Sequence, residues 1–172
     1  MNEEYYQNNT ASKKCDVWNI RTIVTFIVCI AIPLIVGAVS SFLTRNAMVS
    51  FNSMNKPPLA PPAWLFPVVW TILYIAMGIA SFLIFKSEDK MHYLGMIIYA
   101  GQLVFNFVWS LLFFRLEAYG FAAVWLAVLI LMIVALIFNT SKYSRWAMLM
   151  LIPYGLWCCF ALYLNIGIAI LN

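Results

Sequence analysis

The chain has 172 residues, 65% of them hydrophobic and only 9% charged, whereas an average soluble domain is about 45–50% apolar and about 25% charged. Ten basic and six acidic side chains cannot cover a globular surface that is also 17% aromatic, which excludes a water-soluble fold and makes lipid the solvent. A net charge of +4 and a pI near 8.9, with no basic cluster, fit attraction to anionic headgroups and exclude nucleic acid as a partner.

Every charged residue lies outside five runs, Thr22–Thr44, Pro57–Phe85, Met91–Phe114, Ala118–Ser141 and Trp146–Asn172. At about 1.5 Å per residue each run clears a hydrocarbon core of about 30 Å. Backbone amides in hydrocarbon must be satisfied within their own segment, and the alternating segments of a β-barrel are absent. The expected fold is an all-α integral membrane protein, a bundle of five transmembrane helices over about 20–44, 63–86, 91–114, 118–140 and 144–171. They form one domain, 20–172, behind a polar tail at 1–19 whose composition reads as disordered.

The polar tail, the length of the first apolar run and the lack of a small-x-small cleavage site make that run an anchor and not a signal peptide. Pro33 predicts a kink in it. Gly37 and Ser41 form a small-x-x-x-small pair, and Gly95 and Gly101 follow in the third helix; such residues serve either dimerisation or close packing within one bundle. Loop 45–62 carries Pro57, Pro58, Pro61 and Pro62, which make it extended and stiff, a spacer or a lid. Seven Lys and Arg fall on the amino-terminal side against Arg45, Lys56 and Arg115 opposite. That bias places the amino terminus inside and the carboxyl terminus outside, in the cell membrane if the source is prokaryotic.

Trp18, Trp64 and Trp146 stand at helix starts and suit the interfacial aromatic belt. Trp70 and Trp157 lie deeper. Gln102, Asn106 and Trp109 share one face of the third helix, and Trp157, Ala161 and Asn165 one face of the fifth. By helical rise, Trp70, Asn106, Trp109 and Asn165 sit roughly 8–12 Å below the outer end, and Gln102, Ala161 and Trp157 roughly 15–21 Å. Buried amides pair between helices or meet a ligand. Flat rings with a few amides suit a flat, mostly apolar ligand better than an ion. No charged residue lies within the five apolar runs, which removes proton relays, voltage sensors and carboxylate-driven pumps. The lone His92 and the spacing of the four cysteines offer no metal site.

The stretch Asn55-Lys56-Pro57-Pro58-Leu59-Ala60-Pro61-Pro62 followed by Trp70 resembles the first-loop signature of the translocator protein family, also called tryptophan-rich sensory proteins or the peripheral benzodiazepine receptor. Gln102 to Ser110 resembles its third-helix motif, and Pro153-Tyr154-Gly155-Leu156-Trp157, Phe160-Ala161 and Leu164-Asn165 its fifth-helix motif. The resemblance implies a five-helix bundle, often a homodimer, that binds porphyrins, isoquinoline carboxamide and benzodiazepine drugs under the first loop. It needs no cofactor; the porphyrin is a ligand. The ligand-binding set so implied is Phe51, Pro61, Trp70, Gln102, Asn106, Trp109, Tyr154, Trp157 and Ala161. The chain departs from the family at Ser50-Phe51, where Trp-Tyr is common, and at Leu59, where a tryptophan is common. The sterol-contact pattern of Leu or Val, then Tyr, then Lys or Arg is incomplete here, because no basic residue follows Tyr163. Three functions are open: a porphyrin-binding sensor or translocator; a light-dependent porphyrin-degrading enzyme with Trp70 and Trp157 as radical partners; or a structural membrane partner with a vestigial pocket.

Overall fold

The structure, a computed structural model, describes residues 19–45 and 54–172. Helices α1 (Ile20–Thr44), α2 (Leu65–Phe85), α3 (His92–Ser110), α4 (Tyr119–Ser141) and α5 (Arg145–Leu171) follow in order, and a π turn over Leu111–Arg115 extends α3. All five are long and apolar enough to cross a membrane, and the described residues contain no strand. The protein is an all-α, multi-pass integral membrane protein.

Around the bundle the helices run α1, α2, α5, α4, α3, with α3 returning to touch α1 and α2. Large apolar residues face outward as well as inward on these helices, so amphipathic patterning does not mark the inner faces. Shape does. On α4 the fully buried Leu126, Leu129, Ile133 and Leu136 repeat at three- and four-residue steps, and on α5 Ala147, Leu151, Tyr154, Cys158 and Ala161 do the same.

Close helix approach is built on glycine. A Cβ at Gly78 would lie 2.6 Å from the Ile30 Cα, and one at Gly37 would strike the Tyr74 ring. A Cβ at Gly95 would meet Tyr143 and Asn139, and one at Gly101 Met132. These small residues therefore pack within the single bundle. Pro33 contributes to the same seam: its missing N–H frees the carbonyl of Cys29, which faces Gly78 and lies 3.5 Å from the Ser81 hydroxyl.

The proline segment lies against the end of α5. Asn55 and Asn172 exchange hydrogen bonds of 3.1 and 3.0 Å, the Tyr163 hydroxyl donates to the Pro58 carbonyl at 2.7 Å, and Pro57 is buried on the bare face of Gly167. Leu59 takes the left-handed conformation, with φ 69°, at the exposed turn. Lys86, Glu88, Asp89, Lys90, Lys142 and Arg145 gather at one end of the bundle, and Arg45, Lys56, Arg115 and Glu117 at the other.

Candidate functional site

Four polar side chains meet where α2, α3 and α5 face one another. The Tyr74 hydroxyl donates to Asn106 Oδ1 at 2.8 Å, Asn106 Nδ2 donates to the Tyr154 oxygen at 3.2 Å, and the Tyr154 hydroxyl donates to Gln102 Oε1 at 2.7 Å. A second chain runs beside it: Trp109 Nε1 donates to Asn165 Oδ1 at 3.2 Å, and Asn165 Nδ2 to the Tyr119 carbonyl at 2.8 Å. Gln102, Asn106, Tyr154 and Asn165 are at most 1% exposed, and their pairing relieves the cost of polar groups in hydrocarbon. Two N–H groups remain buried without a partner among the described residues, Gln102 Nε2 and Trp157 Nε1.

Aromatic rings surround this network. Trp70 is its hub, with ring centres 5.5 Å from Tyr74, 6.0 Å from Trp109 and 6.3 Å from Tyr154. The π turn brings Phe113 and Phe114 both onto Trp109, one nearly parallel at 5.7 Å and one edge-on at 6.3 Å. An i→i+5 bond from the Leu116 N–H to the Leu111 carbonyl widens that turn.

A cavity of about 430 Å³ opens beside the hub, between α1, α2 and α3, within the range of about 300–1,000 Å³ typical of small-molecule sites. Its aromatic wall is Phe66, Trp70, Tyr74, Trp109 and Phe114, with Asn106 among them. Its other side is α1, which contributes Leu34, Gly37, Ala38, Ser40, Ser41 and Thr44. No charged residue lines it among those described. Helical rise puts it within about 15 Å of the bundle end that carries the proline segment.

The structure distributes the residues expected from sequence unevenly. Trp70, Asn106 and Trp109 line the cavity. Gln102 and Tyr154 do not: Tyr154 stands one hydrogen bond behind Asn106, and Gln102 a second one behind Tyr154. Trp157 is outside the wall: its ring packs on Phe66 at 6.1 Å and on Phe160 at 5.4 Å. Ala161 is buried on α5, and Pro61 is half-buried in the proline segment; neither borders the cavity. Phe51 lies outside the described residues. Sequence reasoning missed Phe66, Tyr74 and the whole α1 side. Tyr74 carried a readable signal, one turn from Trp70 on the same face. Ser40 and Ser110 carried none, since only packing brings their hydroxyls together.

Comparison with known proteins agrees along most of the chain. The profile of the TspO/MBR family matches residues 29–171. A tryptophan-rich protein TspO of Chlorobaculum tepidum is 37% identical over 155 residues, 88% of this chain and 98% of its own. A tryptophan-rich sensory protein of Cereibacter sphaeroides is 32% identical over 122 residues, 71% of this chain and 76% of its own. A translocator protein of Ovis aries is 38% identical over 120 residues, covering 67% and 70% respectively. The matched stretch contains every residue that lines the cavity, and the chain belongs to the TspO/MBR family.

Proposed function

We propose that the protein is a membrane binding protein, a sensor or translocator, for porphyrins and similar flat apolar molecules held in the cavity between α1, α2 and α3. The observation that carries this reading is the uncharged wall of Trp70, Tyr74, Trp109, Phe66 and Phe114 around about 430 Å³. Large rings offer broad dispersion contact to a planar ligand at little cost in side-chain entropy, and the absence of charge disfavours ions. The names of relatives, translocator protein and tryptophan-rich sensory protein, point the same way. Binding needs no cofactor.

The test is a titration of purified protein in lipid nanodiscs with protoporphyrin in the dark, followed by tryptophan fluorescence. Saturable quenching is expected. Trp70→Ala should weaken it about tenfold or more, the loss of one well-packed ring, and Trp146→Phe at the far membrane interface should leave it unchanged. Absence of saturable quenching, or equal affinity in Trp70→Ala, would overturn the reading. In this proposal the amino terminus faces inside and the proline segment outside. A homodimer belongs to the same proposal, but its interface excludes the inward face of Gly37, which Tyr74 fills.

A further inference from the structure

Ser40 on α1 and Ser110 on α3 touch through their hydroxyls, which fixes the seam between two helices that run toward the same end of the bundle. Each helix carries an arginine five residues beyond that contact, Arg45 and Arg115, which puts both about 6–8 Å above it. On α1, Leu34, Ala38 and Ser41 line the cavity, and steps of four, three and four residues carry the same stripe on to Arg45. On α3 the π turn has the same effect. A regular α-helix would swing the fifth residue after Ser110 roughly 140° round the axis from it. The i→i+5 bonding of Leu111–Arg115 instead brings the fifth residue back above the first, much as the fourth stands in an α-helix. Phe114 thereby lines the cavity, Arg115 follows it at the mouth, and the π turn itself touches α1.

Both arginines are exposed, and no ion pair engages either among the described residues. The Arg45 guanidinium lies 4.9 Å from the centre of the exposed Phe42 ring, a weak hold at such a site. The connecting segments at this end, 45–64 and 115–118, hold three cations, Arg45, Lys56 and Arg115, against the single acid Glu117. An uncharged aromatic cavity therefore opens under a cationic rim.

We propose that Arg45 and Arg115 form an anion-binding rim that receives the carboxylate edge of a planar ligand whose rings lie among Trp70, Trp109 and Phe114. Within the cavity a carboxylate would lose its hydration with no cation to replace it. At the rim it stays at the water boundary and accepts charge-assisted hydrogen bonds from guanidinium forks suited to two carboxylate oxygens. The ligand class is then a flat aromatic acid, apolar over most of its area and anionic along one edge. This inference rests on the proposed function, since it assumes that the cavity holds a flat ligand.

The experiment compares protoporphyrin with its dimethyl ester at neutral pH in the dark, by tryptophan quenching of the protein in phosphatidylcholine nanodiscs, corrected with empty nanodiscs. The acid is expected to bind about tenfold more tightly, the worth of one charge-assisted hydrogen bond. Arg45→Gln and Arg115→Gln should each lower acid affinity about threefold, and the double variant should bind acid and ester alike, with ester affinity unchanged from the parent. Equal affinity of acid and ester in the parent would overturn the rim, leaving the arginines to lipid phosphates and the cavity intact as a binding site. A preference for the acid that survives in the double variant would overturn it too, by assigning the effect to other groups. If neither porphyrin binds saturably, it is the proposed function that fails.

Discussion

Tyr74 shows how one hydroxyl ties the site to the bundle. Its proton satisfies the carbonyl oxygen of Asn106, whose amide in turn reaches Tyr154. Tyr74→Phe keeps the ring that packs on Trp70 and removes that donor, so a buried carbonyl oxygen is left alone in an apolar interior. We expect a loss of about 1–2 kcal/mol in stability, measured by unfolding in mixed micelles. The lipid-side Thr25, whose hydroxyl bonds only the Arg21 carbonyl of its own helix, provides the comparison: Thr25→Val should change stability by less than about 0.5 kcal/mol. Equal effects of the two substitutions would show that the polar network contributes nothing special.

Glycines behave differently according to what each faces on a neighbouring helix. Gly78→Ala drives a methyl against the α1 backbone at Ile30, which cannot yield as a flexible side chain does. A loss of about 1–3 kcal/mol is expected. Gly155→Ala puts its methyl at ordinary contact distance from Ile133 and Ile137 and should gain up to about 1 kcal/mol from helix propensity. Thermal unfolding of the two variants against the parent checks both signs. Gly167→Val displaces Pro57 from its seat on α5. Faster amide exchange at Asn55 and Ala60, with no change in α2 or α3, is the expected result, because their bonds to Asn172 and the Pro57 carbonyl depend on that seat.

For the whole molecule, the charged loops at the two bundle ends make the proposed orientation open to measurement. Cys29, Cys158 and Cys159 lie within helices in lipid, so a membrane-impermeant maleimide should not reach them. In a Cys15→Ser background, Leu59→Cys at the exposed turn should label in intact cells, and Glu88→Cys only after the membrane is broken. The reverse pattern would invert the orientation. The proline segment caps the same end of the bundle as the cavity, held by Tyr163 of α5 and by Asn172 just past its end, whereas the cavity wall comes from α1, α2 and α3.

Five uncharged runs, each long enough as a helix to cross the hydrocarbon core, already dictate the number and kind of helices, because an unpaired amide in hydrocarbon is too costly for any other local structure. Polarity and depth likewise marked Trp70, Asn106 and Trp109, which tertiary packing then set around one cavity. Sequence did not reveal which faces meet. In lipid an inward leucine and an outward leucine are equally content, so hydropathy carries no record of the ring order. Only packing decided that α1 supplies the cavity's hydroxyl edge, that Gly37 is filled by Tyr74 of its own chain, and that Trp157 lies behind Phe66. Those outcomes depend on side-chain shape across helix pairs distant in sequence, a property of the assembled bundle that no single segment contains.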